Sequence, residues 1–256
     1  MAGTHSRKQA VTGGPAVILV EPQLGENIGT ASRAMYNCGL TDLRLVRPRD
    51  PWPNAKARSA SSGADPVIDN VRVFGDLREA VGEIRHLYAT TARDRYLVKR
   101  IVTPRQAALE MREKMAAGEE CGVLFGAERM GLVTEDVSLA DTIINVPLNP
   151  AFSSLNLAQA VLIVGYEWFT AGDQTLQTVT PTGKSHPATK KDLYAFFDHL
   201  EEELDRNGFL RNIEKRPSMV RNIRALFERA GLTLQEVRTL HGIVTAFAGP
   251  RDRKRD

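Results

Sequence analysis

Absences do the first sorting in this chain. Only two cysteines occur in 256 residues, Cys38 and Cys121, too few for a disulfide framework. They lack metal-ligand spacing and fall inside expected secondary structure, so both are taken as core residues of a cytoplasmic protein. The histidines at 5, 86, 186, 199 and 241 are scattered. No His/Asp/Glu cluster forms a metal motif, and no metal is expected. No apolar run approaches the roughly eighteen residues a membrane span needs. The opening MAGTHSRKQAVTGGP has a few basic residues but no apolar stretch behind them, unlike a secretory signal. It is read as a disordered tail over residues 1–14. Two common nucleotide sites are also missing. The turn after the first apolar run, Glu21 to Gly29, has glycines at the wrong spacing for a dinucleotide fold and carries acidic Glu21 and Glu26. A P-loop is absent.

What is present is ordinary in bulk: 42% hydrophobic and 25% charged residues, a globular balance. The net charge of +3 is unevenly placed. Residues 185–256 hold fourteen Lys and Arg against eleven Asp and Glu, and the first 184 residues balance. A basic excess at that end is compatible with a nucleic-acid partner without demonstrating one.

Periodicity divides the chain. Pro15–Val20, Asp42–Val46, Val71–Phe74, His86–Thr91, Cys121–Phe125 and Thr142–Val146 have the apolar, β-branched pattern of strands. Helices are expected from about Asn27 to before Gly39, over Leu77–Val81, from Thr103-Pro104 to about Ala117, and from Leu155 to about Phe169. The last is apolar on most sides and expected to be buried. Alternation of this kind predicts an α/β domain over 15–171 with a mostly parallel sheet covered on both faces. Residues 172–186, rich in Gly, Thr and Pro, are a linker. Three further helices, near Ala188–Asn207, Ser218–Ala230 and Thr233–Ala248, make a small all-α extension over 187–249. A charged tail follows over 250–256.

Three segments carry chemistry, each just past an expected strand. Asn27-Ile28-Gly29-Thr30-Ala31-Ser32-Arg33 comes first, with Arg33 opposite its helix's apolar face. Phe125-Gly126-Ala127-Glu128-Arg129-Met130-Gly131-Leu132 is second. Phe152-Ser153-Ser154-Leu155-Asn156 is third. Taken singly, each has a plain structural alternative. Gly126 can simply end a strand, Ser153 and Ser154 can cap the next helix, Asn156 can brace the same region, and Arg33 can be a surface arginine.

In order, the three runs resemble the signature motifs NxGxxxR, FGxExxGL and SSLN of the SpoU branch of the SPOUT RNA methyltransferases. The resemblance spans about 16–171 and implies a C-terminal deep trefoil knot, a rare exception to unknotted topology. It also implies a pocket for S-adenosylmethionine built from Thr90, Thr91, Ala92, Gly126, Val146, Ser153, Ser154 and Leu155, with Gly126 leaving room for the cofactor. Asn27, Gly29 and Glu128 would be structural. Arg33, Ser154 and Asn156 would act on a ribose 2′-hydroxyl. In that family Arg33 corresponds to a proposed general base; a guanidinium stays protonated above pH 12, and gripping a phosphate beside the forming alkoxide is the alternative.

The helical extension, including Phe196-Phe197, Met219-Val220-Arg221-Asn222-Ile223-Arg224 and Leu240-His241-Gly242, resembles that of bacterial tRNA methyltransferases acting on nucleotide 32 of the anticodon loop. That likeness implies tRNA as partner, with C or U as target, and RNA contacts from Arg33, Arg211, Arg221 and Arg224. Enzymes of that family are generally homodimers, so the resemblance implies a homodimer here. An enzyme for another tRNA position or for rRNA, and a non-catalytic RNA-binding relative, are the competing expectations.

Overall fold

The computed structural model describes residues 9–91, 97–175, 178, 181 and 183–248. Ala92 of the expected pocket and the tail from 249 onward lie outside them. The chain divides between Thr175 and Leu176 into two compact units.

In the first unit the elements run β1 (Ala16–Val20), α1 (Gly25–Asn37), β2 (Leu43–Val46), α2 (Ala55–Ser61), α3 (Asp65–Ile68), β3 (Arg72–Phe74), α4 (Leu77–Val81) and β4 (His86–Thr90). They continue with β5 (Arg100–Val102), α5 (Pro104–Ala116), β6 (Cys121–Phe125), α6 (Thr134–Leu139), β7 (Thr142–Ile144) and α7 (Leu157–Thr170). The described strands form a seven-stranded sheet ordered β3-β2-β1-β6-β4-β7-β5, every pairing parallel. The continuous apolar runs follow from this topology, because a parallel strand is covered on both faces. Along β1, Val17 and Leu19 join the core under α1, α5 and α7, while Ala16, Ile18 and Val20 join the core under α4 and α6. Val123 and Phe125 of β6 take the first face and Leu124 the second.

Several elements differ from expectation. Strand β5 and helices α2, α3 and α6 are additional. Helix α1 begins at Gly25 rather than Asn27. Helix α7 begins at Leu157, two residues later than expected, with Asn156 as its N-cap. It is not buried all round: Leu157, Val161, Val164 and Trp168 face inward, but Leu162 and Tyr166 are exposed. Residues assigned to a free tail also lie against this unit. A Cβ on Gly14 would stand 2.8 Å from Nε1 of Trp168, and one on Gly39 would stand 3.1 Å from Val11.

The second unit holds α8 (Lys190–Arg206), α9 (Arg216–Glu228) and α10 (Leu234–Ala248). Leu193, Phe196 and Phe197 of α8 and Val237 of α10 form its small core. Capping boxes open α8 at Thr189 with Asp192 and α10 at Thr233 with Glu236. Helix α9 contributes no fully buried residue.

Candidate active site

Parallel sheets present their ligand crevice at the carboxyl ends of the strands, where the chain order reverses. Here β2 and β3 lie on one side of β1, β4 lies on the other, and β6 fills the place between β1 and β4. A cavity of about 310 Å³ opens beyond the ends of β6, β4 and β7, adjacent strands. Of the expected pocket residues, Thr90, Thr91, Gly126, Val146, Ser153, Ser154 and Leu155 all line it. Apolar Leu132, Ile144, Leu148 and Leu157 line it too. Leu132 closes the second motif, yet none of the four was singled out as a pocket residue, since an apolar residue beside a strand looks like core until the cavity is seen.

The walls are held by specific bonds. Thr90 Oγ1 donates to the Leu124 carbonyl at 2.8 Å, tying the end of β4 to β6. The Thr91 amide donates to Ile144 at 3.2 Å, tying it to β7. At the opposite, amino end of the sheet, away from the cavity, Lys99 Nζ donates to the carbonyls of Ser138 and Ala140 at 2.9 and 2.5 Å, fixing the start of β5 to the end of α6. Nothing in the sequence pattern marks Lys99.

The second motif is a tight loop. The Gly131 amide donates to Ala127 O at 2.7 Å, and Gly131 takes φ +66°, where a side chain is disfavoured. A Cβ on Gly126 would sit 2.1 Å from Gly131 C and from Leu132 N. Gly126 is therefore required by the loop folding back on it. Beside the expectation that its missing side chain makes room for a ligand stands a packing reason: a Cβ there would meet the 131–132 peptide. Gly29 has a similar explanation, since its Cβ would meet the Ala57 carbonyl at 2.1 Å where α1 packs on α2.

Glu128 joins the motifs. One carboxylate oxygen accepts from the Gln23 amide at 2.8 Å, and the other from Asn27 Nδ2 at 2.7 Å and the Leu24 amide at 3.3 Å. Asn27 Oδ1 in turn accepts from Asn156 Nδ2 at 3.3 Å. Asn156 Oδ1 caps α7 through the Ala158 amide at 2.9 Å, and Gln159 completes the capping box. The capping role considered for Ser153 and Ser154 thus belongs to Asn156. Both serines are exposed, line the cavity and form no hydrogen bond with a described residue. Arg33 is exposed on α1, does not line the cavity and has no ion-pair or hydrogen-bond partner among the described residues. No cluster of three metal-ligating side chains occurs among the described residues, and none of their helices is long and apolar enough to cross a membrane.

In the second unit the expected RNA-contacting arginines separate into two kinds. Arg224 is committed to Glu201 through bonds of 2.6 and 3.0 Å. Arg211 and Arg221 are exposed and have no partner among the described residues.

Two of the three motifs line one cavity and the first is hydrogen-bonded to both, and comparison with known proteins agrees with their order. Residues 14–166 match the SpoU rRNA methylase family. The chain belongs to that family. Residues 191–256 match the C-terminal domain of the tRNA methyltransferase TrmJ. The crystal structure of TrmJ from Z. mobilis ZM4 superposes with a TM-score of 0.80 at 48% identity, covering 93% of this chain and 100% of that one. The tRNA (cytidine/uridine-2′-O-)-methyltransferase TrmJ of Sodalis glossinidius is 36% identical, covering 90% of each chain. The tRNA (cytidine/uridine/adenosine-2′-O-)-methyltransferase TrmJ of Pseudomonas aeruginosa is 33% identical, covering 90% of this chain and 91% of its own. This SpoU chain is a methyltransferase with a TrmJ-type C-terminal domain.

Proposed function

We propose that the protein transfers a methyl group from S-adenosylmethionine to the ribose 2′-hydroxyl of nucleotide 32 in the tRNA anticodon loop. It does so as a cytoplasmic homodimer whose cavity loops close a deep trefoil knot. The observation that carries the reading is the cavity lined by the second and third motifs, to which Asn27 of the first is hydrogen-bonded, on a chain that also matches the TrmJ C-terminal domain. Outward-facing Leu162 and Tyr166 on α7, 43% and 59% exposed, support a second copy there.

The cavity residues suit the cofactor. Leu132, Ile144, Leu148 and Leu157 offer an apolar slot for a purine face, the 126–132 backbone offers polar edges, and the two serine hydroxyls have no partner among the described residues. When bound, S-adenosylmethionine supplies an electrophilic methyl group. Thr90 and Thr91 fix one wall, and the Glu128–Asn27–Asn156 chain holds the first and third motifs at a set spacing. Ser154 orients the ligand through its hydroxyl. Arg33 grips the phosphate next to the target ribose and places a fixed positive charge beside the developing alkoxide. Proton removal by Arg33 itself would require a neutral guanidinium, which water at pH 7 does not supply.

The direct test is transfer of labelled methyl groups to unmodified tRNA and, in parallel, to rRNA. Incorporation into tRNA alone supports the proposal, and incorporation into rRNA alone overturns it.

A further inference from the structure

A second cavity, of about 510 Å³, lies between α8 and α9 and is lined by Tyr194, Phe197, Asp198, Arg221, Arg224 and Glu228. Two aromatic rings, two guanidinium groups and two carboxylates meet there. The fold needs only some of them. Phe197 belongs to the small core and forms the floor, 1% exposed. Arg224 stands 5.8 Å over the Phe197 ring and is clamped by Glu201, making a rigid wall. Glu228 pairs with Lys190 at 3.0 Å.

Three groups are left without such work. Tyr194 is 51% exposed, its ring 6.3 Å from that of Phe197. Arg221 has neither ion-pair nor hydrogen-bond partner among the described residues, and the Asp198 carboxylate accepts no hydrogen bond from one. Helix α9 buries no residue completely, so the cleft is not closed by packing. An exposed ring offers a stacking face to a base of any sequence. An unpaired guanidinium offers a fork for a phosphate. The Asp198 carboxylate faces the Arg224 charge but, with no hydrogen bond from a described residue, can accept from the exocyclic amine of a base. These are the three needs of an unstacked nucleotide, and single-stranded RNA is read in this manner.

We infer that the α8–α9 cleft receives one unpaired nucleotide of the RNA substrate, its base on Tyr194, its phosphate on Arg221 and its base edge facing Asp198. The inference rests on the tRNA reading above and deepens it, by giving the helical unit a nucleotide site of its own in place of diffuse charge. Arg224, expected at the outset to contact RNA, serves as the wall of this site.

The experiment uses the full chain, with binding to unmodified tRNA followed over a range of salt concentrations and methyl transfer measured on the same samples. Tyr194→Ala weakens binding by about five- to a hundredfold and leaves the salt slope unchanged, while Tyr194→Phe binds as the wild type does. Arg221→Ala flattens the log–log salt slope by about one unit. Both alanine variants keep the wild-type melting temperature and raise KM for tRNA. If both bind and methylate tRNA within twofold of wild type, the cleft is not a nucleotide site, whereas the proposed function stands. A wild-type chain that neither binds nor methylates tRNA overturns both.

Discussion

Asn156 donates from Nδ2 to Oδ1 of Asn27 at 3.3 Å, across 129 residues of chain. Asn27 passes the contact on to Glu128 at 2.7 Å, so three segments far apart in sequence are braced by two asparagines and one carboxylate. Asn27 can do this only with its amide oriented so that Nδ2 meets the carboxylate and Oδ1 meets the Asn156 donor. Such a chain is satisfied or broken as a unit.

Glu128→Ala strands two backbone amides and the Asn27 side chain at once. Unfolding by urea should show a loss of about 1–3 kcal/mol, with Glu128→Gln losing less, since one of its oxygens remains an acceptor. Cofactor affinity should fall with stability. An unchanged urea midpoint for Glu128→Ala would show that solvent replaces these bonds freely.

Gly126→Ala separates two explanations of the same glycine. The added Cβ meets the 131–132 backbone at 2.1 Å, so the ligand-free variant should already melt several degrees lower than wild type. Calorimetry on the ligand-free protein decides it. A normal melting temperature combined with lost cofactor binding would restore the ligand-space explanation.

Asn156→Ala removes a helix N-cap and should cost about 0.5–2 kcal/mol. Ser154→Ala touches no described hydrogen bond, so its melting temperature should match wild type while methyl transfer falls. Equal turnover for Ser154→Ala and wild type would remove that serine from the site.

Burial pushes the thiols of Cys38 and Cys121 up to about 11 from an ordinary 9.0. A raised folded-state value means that burying each neutral thiol contributes stability below about pH 9, lost as pH rises towards 11. Native protein should therefore react slowly with a disulfide reagent at neutral pH and much faster after unfolding. Rapid labelling of both thiols in the folded state would contradict this.

The sheet was legible because PAVILV and CGVLF are apolar throughout, as only doubly covered strands need to be. Strand β5 was not, because Arg100–Val102 is three residues long with exposed Arg100 and Ile101. Helix α2 escaped notice because AKARSAS buries only Ala57 and Ser61, too few for a periodic stripe. The cofactor loops were found through their motifs, but the reasons behind Gly29 and Gly126 were not, since each glycine answers to backbone that only the fold brings near. Charge counting likewise could not separate Arg224, clamped by Glu201, from Arg221, which has no partner among the described residues.

Mapping the methyl group on tRNA tests the central claim most directly. Unmodified tRNA is incubated with the full chain and S-adenosylmethionine, then digested, and its fragments are sequenced by mass spectrometry. One ribose methyl at nucleotide 32 is the predicted result, with none when Arg33→Ala replaces wild type despite unchanged melting temperature and cofactor affinity. A methyl on a base, at another tRNA position, or added at the wild-type rate by Arg33→Ala would contradict the account.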